Sequence, residues 1–498
     1  MPDIEYDVVI IGAGAVGISL ARELSRYCLE ILVLEASDDV ASGATRANSG
    51  IVHGGYAAKP GSLKAEFSLA GNRFFPELAR ELDFPYQQTG SVVLAFDDEN
   101  LTALEDLQEN GRLNGVENLE IIGREETLRR IPRLNPAEVR GGLFCPDAGI
   151  VSPYEYAIAL AENAIANGIA IKLNSPVTAI ASETGRNSTV IRIEAGGRDY
   201  KSPFVVNAAG TGAEAIARMA GPVGDSPFTI NPRKGQYIIF RRGSAAGLDT
   251  VVFQPPTAKG KGILVTPTSW GNLLIGPDAQ EIQSTEDLET DPASLARIIR
   301  TARHSIDDFD IKQAIRVFSG SRPASDRGDF IIEWSETVDG LMHLAGIESP
   351  GLTSSPAIAH KAVKMLKDAG LSLKADPEFH PGRKAAVHPG PLGPVSVAMK
   401  AVSLPKGNPN RIVCRCEQVT ESVIREALSR GLSVKSIDGV KRRTRAGMGA
   451  CQGAFCGPGV RTLVAEAAGI TENEVSNPSR DRVKILENLA AMRKLLND

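Results

Sequence analysis

Asp7-Val-Val-Ile-Ile-Gly12-Ala-Gly14-Ala-Val-Gly17-Ile-Ser-Leu-Ala-Arg-Glu-Leu24, followed by Ile31-Leu-Val-Leu-Glu35, decides the fold. Residues 7–11 are a short run of β-branched residues, a buried strand. Gly12 allows a tight turn, Gly14 lets the backbone approach a pyrophosphate, and Gly17 lets a helix pack on a sheet. Residues 18–24 carry helical periodicity, and the helix start turns its positive end towards phosphates. A second apolar run ends at Glu35, 18 residues after Gly17, where a carboxylate can accept hydrogen bonds from ribose hydroxyls. A lone glycine triplet is weak evidence. Set between strand and helix, with an acid at this distance, it is a complete dinucleotide-binding unit. FAD and NAD both use that unit, so the choice between them needs other residues.

Outside this stretch the chain has 498 residues, with 42% hydrophobic and 23% charged. That length predicts two or three domains and a soluble globular composition, and it excludes a disordered, collagen-like or coiled-coil chain. A net charge of −5 argues against nucleic acid as the main partner. No run of 18 apolar residues suggests a transmembrane helix. The start, Met1-Pro-Asp-Ile-Glu-Tyr-Asp7, is acidic where an export signal is basic. The expected location is the cytoplasm, with contact at a membrane surface left open.

Charge and cysteine content divide the chain at one place. Residues 411–498 hold 15 Lys+Arg and 10 Asp+Glu, or +5, so residues 1–410 carry −10. Cys28 and Cys145 stand alone, whereas Cys414, Cys416, Cys451 and Cys456 cluster as a metal site would in a reducing compartment. Between the two parts lies a Pro/Gly-rich stretch with Pro381, Pro389, Pro391 and Pro394, expected to be an extended connector with little helix or sheet. These features predict a large domain over 1–375, a linker over 376–410, a small cysteine domain over 411–475 and a C-terminal segment over 476–498. In that last segment Val483, Leu486, Leu489 and Met492 have the spacing of an amphipathic helix.

Three further segments bear on the cofactor. Residues 42–56 read Ser-Gly-Ala-Thr-Arg-Ala-Asn-Ser-Gly-Ile-Val-His-Gly-Gly-Tyr; residues 205–212 read Val-Val-Asn-Ala-Ala-Gly-Thr-Gly; and His343-Leu-Ala-Gly-Ile-Glu-Ser-Pro-Gly-Leu-Thr353 precedes a helix. With the opening unit they resemble the FAD-dependent oxidoreductases of the D-amino-acid oxidase superfamily, over residues 5 to about 372. The resemblance implies an α/β fold in which a Rossmann-like FAD-binding domain is interleaved with a mixed-sheet substrate domain. It implies FAD with its pyrophosphate on the first helix and Val177 at the adenine. Thr45, Asn48, Ser49 and Gly50 would contact pyrophosphate, ribitol and flavin, and Ala209, Gly210, Gly346, Gly351, Leu352 and Thr353 would complete the wall.

FAD chemistry on a C–H bond needs a base for the attached OH or NH proton. His53 is the leading candidate, because an ordinary imidazole is near half-titrated at neutral pH; Tyr56 could bind substrate or line the pocket. Arg322, in Phe318-Ser-Gly-Ser-Arg-Pro-Ala324, resembles an arginine that related enzymes place above the flavin, and its fork suits a carboxylate or phosphate. Lys234 and Lys261 are weaker anion-binding candidates. Within the superfamily, Asn48 to Ala65 looks like the L-2-hydroxyglutarate oxidising enzymes. The pairing of a large domain with a four-cysteine domain looks like the A-subunit type of bacterial glycerol-3-phosphate dehydrogenases. Better-known enzymes of the latter kind carry Gly-Gly-Lys-x-Thr near the flavin; residues 346–353 here contain no lysine.

Cys414-Arg-Cys416, then 34 residues, then Cys451-Gln-Gly-Ala-Phe-Cys456 resembles the small helical [2Fe–2S] domain of bacterioferritin-associated ferredoxin over about 411–465. Four thiolates are what a [2Fe–2S] cluster requires. Zinc also takes four cysteines, although the tight C-x-C is less typical of it, and a dithiol relay is a third option. A helix is expected over Glu421–Leu428. The basic run Lys441-Arg-Arg-Thr-Arg445 is expected either to offset the cluster's charge or to form a solvated face that docks an electron acceptor.

The reading that results is an FAD-dependent enzyme oxidising a secondary alcohol with an acidic group, glycerol 3-phosphate ahead of L-2-hydroxyglutarate. Electrons would leave through the cluster to a redox protein, a quinone or oxygen. An amine-oxidising flavoenzyme and a non-catalytic flavin/Fe–S redox module are the alternatives.

Overall fold

The computed structural model describes residues 5–184, 189–221, 226–256, 262–388, 392–477 and 482–497. Lys261 and residues 1–4 lie outside them. Strand β1 (Val8–Ile11) is the centre of a six-stranded sheet, paired in parallel with β2 (Ile31–Leu34) on one side and with Phe204–Asn207 on the other. Ala170–Lys172 and Leu341–Ala345 extend it in parallel, and Ile331–Trp334 closes one edge antiparallel.

All four residues of β1 are buried, because both faces of the sheet are covered. Val8 and Ile10 point into a core shared with helix α1 (Ala15–Leu24) and the helices Pro153–Ala166 and Gly351–Asp368. Val9 and Ile11 point the other way, onto Ile180, Ile191 and Tyr200 of a three-stranded antiparallel sheet. A strand buried on both faces reads as continuous apolar sequence with no alternation, which is what residues 8–11 show.

The second body is a nine-stranded mixed sheet. Its long strands Ile230–Arg242 and Ala314–Ser325 run antiparallel, with Tyr237 opposite Phe318 and Gly235 opposite Gly320. Ile238, Phe240 and Val317 face the covering helix Pro292–Ser305, so Tyr237, Phe318, Gly320 and Arg322 lie on the face towards the dinucleotide crevice. The cysteine region has its own core, built on Val419, Ile424, Val440, Val460 and Leu463, with helices Glu421–Ala427, Ile437–Thr444 and Gly457–Ala468.

Two expectations are corrected here. The stretch 376–410 is not a free extended connector: it contains a helix, Val395–Val402, and its first part is bonded onto the large domain. Asn163 donates to the carbonyls of His380 and Gly382, Arg22 donates to that of Pro381, and Arg383 pairs with Glu162 at 3.0 Å. A proline-rich segment leaves carbonyls without helix or sheet partners, and these donors from two distant helices satisfy them. The C-terminal helix, Arg482–Asn497, forms as expected but presents a different face. Leu489 and Met492 are buried against the second body with Ile485 and Leu496 beside them, while Val483 and Leu486 are exposed. Burying the two core side chains stabilises this docking by roughly 1.5–3 kcal/mol each.

Candidate active site

The opening glycines have tasks visible in the coordinates. Gly12 has φ +105°, and a Cβ there would stand 2.5 Å from the carbonyl oxygen of Ala208; a Cβ on Gly17 would stand 2.0 Å from the carbonyl oxygen of Gly12. The turn is thus a cradle that only glycine permits, and a pyrophosphate can meet bare backbone at the start of α1. Glu35 accepts hydrogen bonds from the Ala13 and Ser37 amides, which hold its carboxylate at the crevice mouth. The Ser175 amide donates to the Glu35 carbonyl, bringing the strand that begins at Val177 alongside. Thr45 accepts from the Ala15 amide at 3.0 Å, next to Gly14.

Asn48 ties its own loop: its amide donates to the carbonyls of Ala44 and Thr45, and its oxygen accepts from the Gly50 amide. Ser49 follows on the same segment. Gly50 has φ +68° and no room for a Cβ against the Val151 carbonyl. Ala209 and Gly210 follow strand Phe204–Asn207 directly beside Gly12. Gly346, at φ +63°, ends strand Leu341–Ala345, and Gly351, Leu352 and Thr353 open the long helix behind it. This arrangement of bare glycine backbone, anchored acid and helix start suits FAD.

His53 is joined to that helix. Its amide donates to the buried Thr353 hydroxyl at 3.0 Å, its ring Nε2 lies 3.5 Å from the Ser349 hydroxyl, and its ring meets Phe253 at 5.9 Å. Arg322 lies two residues from Gly320, whose Cα packs on the Ala47 backbone so closely that a Cβ would stand 2.2 Å from the Ala47 oxygen. Alternation along the strand therefore puts Arg322 on the face towards segment 47–53. Its guanidinium donates to the Asp278 carbonyl and lies beside the Tyr237 hydroxyl. Among the described residues no carboxylate lies within ion-pair distance of it.

Tyr56 is corrected. It is a core residue, 4% exposed, with its hydroxyl on Ser91 at 3.3 Å and burial pushing its pKa well above the phenol range. Lys234 is also withdrawn as a free cation, since it pairs with Asp287 at 2.9 Å. Tyr237, Ser349 and Phe253 were missed by sequence reasoning, because no local pattern marks them.

The four cysteines are brought together: Cys414 lies beside Cys456 and Cys416 beside Cys451, and the charge of Cys414 reaches Cys416 as that of Cys451 reaches Cys456. The hydrogen bond from Cys456, opposed by burial, brings the Cys414 thiol down to about 6, and the same bond pushes Cys456 up. Among the described residues no three His, Cys, Asp or Glu side chains converge as ligands of a single ion. Four thiols gathered in this way are what a [2Fe–2S] cluster requires. Cys414 also accepts from the Gly447 and Glu417 amides, donors that stabilise thiolate charge.

The basic run is not a solvated face. Arg442 and Arg443 both bond to Asp39 of the large domain, and Arg445 bonds to the buried Glu417 and to Asn272. Trp270 of the large domain donates to Glu155 and packs against the guanidinium groups of Arg242 and Arg445. The run is an interdomain seam, and no helix among the described residues is long and apolar enough to cross a membrane.

Residues 7–365 match the family described as FAD dependent oxidoreductase, and residues 412–466 match the BFD-like [2Fe-2S] binding domain. The chain is 40% identical over 480 residues to a glycerol 3-phosphate dehydrogenase of Caloramator mitchellensis, covering 94% of this chain and 96% of that protein. It is 31% identical to a glycerol 3-phosphate oxidase of Mycoplasma genitalium, over 75% of this chain and 97% of that one. Among solved structures, the FAD-bound L-alpha-glycerophosphate oxidase of Mycoplasma pneumoniae superposes with a TM-score of 0.71 at 28% identity, covering 76% of this chain and 98% of that one. The cradle at Gly12, the crevice walls and these matches agree: the chain belongs to the FAD dependent oxidoreductase family and carries a BFD-like [2Fe-2S] binding domain at its C-terminal end.

Proposed function

We propose that this enzyme oxidises sn-glycerol 3-phosphate at its secondary alcohol, giving dihydroxyacetone phosphate. The observation that carries the reading is Arg322, a cation without a carboxylate partner among the described residues, bonded to the Asp278 carbonyl beside Tyr237 on the face towards His53. A guanidinium so held presents its remaining N–H groups to two oxygens of a phosphate, at a separation that positions rather than reacts. The near-full-length likeness to a glycerol 3-phosphate dehydrogenase supports the same substrate.

Oxidation of the alcohol removes a hydride from carbon and a proton from oxygen. His53 takes the proton at a ring nitrogen. Its backbone is fixed by Thr353, and Ser349 is within reach of Nε2 to steady the ring. Arg322 neutralises the phosphate and keeps the C–H bond in one orientation. Bound FAD supplies the two-electron acceptor, and the bound cluster a one-electron outlet. The thiols of Cys414, Cys416, Cys451 and Cys456 hold that cluster, and the seam at Asp39 fixes the cysteine domain on the FAD domain.

The test is an anaerobic absorbance titration of purified protein with glycerol 3-phosphate and then with L-2-hydroxyglutarate. Bleaching of the flavin by the first is expected. Bleaching only by the second would transfer the assignment to the hydroxy acid that the segment Asn48–Ala65 suggests, and bleaching only by secondary amines would remove both.

A further inference from the structure

Between the large domain, the basic run and the C-terminal helix lies a cavity of about 590 Å³. It adjoins the dinucleotide crevice only through Asn48 and Ser49; Gly12, Gly14, Glu35, His53, Thr353 and Arg322 take no part in its wall. Phe318 lines it and stacks on Tyr237 with ring centroids 4.7 Å apart, and on this shared sheet face the ring pair stands between Arg316, which lines the cavity, and Arg322, which does not.

Its charge is one-sided. Arg46, Arg316, Lys441 and Arg442 lie close enough to repel one another, and the exposed Glu286 and Glu289 also line the cavity, with Glu289 held by Lys484. Among the described residues Arg316 bonds only to the neutral Gln452 side chain, and Arg46 has no carboxylate within ion-pair distance. Arg442 gives one N–H to Asp39, but its buried Nε has no partner among the described residues. Asp438 also lines the cavity, 3.6 Å from Lys441. Burial and the repulsion of neighbouring guanidinium groups hold Arg46 below its usual range, and burial with Arg316 beside it brings Lys441 down to about 8. Several cations crowded in a low-dielectric space and outnumbering the carboxylates bonded to them are stabilised when an anion joins them. Ile239, Leu274 and Phe318 supply an apolar wall beside the cations.

We propose that this cavity is a second small-molecule site, which takes an organic anion with an apolar body, its phosphate or carboxylate held by Arg46, Arg316, Lys441 and Arg442. The site is separate from the FAD crevice and from the substrate pocket at Arg322. Its occupant bridges the FAD domain and the cysteine domain, because Arg46 and Arg316 belong to one and Lys441 and Arg442 to the other.

The test is calorimetric titration of the full chain loaded with FAD and cluster, using phenyl phosphate and benzoate as separate probes so that the two anion classes are told apart. Saturable one-to-one binding of at least one probe is expected. Arg316→Gln and, separately, Lys441→Met should each weaken it by about tenfold or more, as loss of a charge-assisted hydrogen bond does. Arg322→Gln should leave it unchanged, whatever the substrate of the enzyme proves to be. FAD and cluster absorbance identify variants that remain folded, and either of the two cavity variants suffices for the reading. No saturable binding by either probe, binding that both cavity variants leave within threefold, or binding lost with Arg322→Gln would overturn the assignment.

Discussion

Asp39, beyond the end of β2, receives both arms of the Arg443 guanidinium at 2.6 and 2.8 Å, across 404 residues of chain. Arg442 adds a third bond to the same carboxylate at 2.8 Å. The carboxylate is 1% exposed, so the cysteine domain is anchored on the FAD domain through an ion triad closed to water.

Replacing Asp39 with Asn leaves two buried guanidinium groups without their counter-charge, a loss of about 3–5 kcal/mol at this contact. Faster proteolysis of the 376–410 stretch is the expected readout. Burial would raise the Asp39 pKa, but Arg443 and Arg442 outweigh it and bring it to about 2, below the ordinary 3.8. Its contribution of about 2 kcal/mol is therefore complete above about pH 4 and is lost as pH falls through about 2. Urea midpoints of wild type and Asp39→Asn should converge over that acid range. A constant gap would show that the carboxylate is not the source.

Gly12→Ala forces a Cβ against the Ala208 backbone carbonyl at a positive φ, and backbone cannot give way as a side chain can. FAD affinity should fall by about tenfold or more, since a strained backbone costs of order 1–3 kcal/mol. Flavin retained after gel filtration measures it. Gly43→Ala, where nothing lies within 4 Å, should retain FAD fully.

Arg322→Gln and His53→Ala should separate in kinetics. Loss of the charge-assisted contact raises KM by roughly 10- to 100-fold with FAD still bound. Loss of the base slows flavin reduction by roughly 10²–10⁴-fold. Stopped-flow reduction with glycerol 3-phosphate distinguishes them; a His53→Ala rate within threefold of wild type would assign the proton to another group.

Cys451→Ser should abolish the visible absorbance of the cluster while anaerobic bleaching of the flavin by substrate persists. Loss of both signals would mean that the cysteine domain is needed for the FAD domain to fold.

Tyr56→Phe should leave kcat and KM within threefold and lower stability by about 1 kcal/mol, the loss of the one bond to Ser91. A large fall in kcat with unchanged melting would return Tyr56 to the substrate pocket.

Short-range pattern determined much of this protein. The apolar run at residues 7–11, the glycines at 12, 14 and 17 and the acid at 35 specify strand, turn, helix and strand within 29 residues, because each signal acts through its own backbone conformation and burial. The BFD-like domain that residues 412–466 match was legible for a similar reason, since charge and cysteine content change together near residue 411. Tertiary structure alone decided the rest. The basic run Lys441–Arg445 reads as a solvated face until Asp39 and Glu417 are seen to receive it; Tyr56 reads as a pocket residue until Ser91 takes its hydroxyl; and the C-terminal helix buries Leu489 and Met492 but not Val483 and Leu486. A charge or an apolar face carries no mark of its partner. Pairing depends on which surfaces the finished fold brings within a few ångströms, and for Asp39 and Arg443 those surfaces lie 404 residues apart.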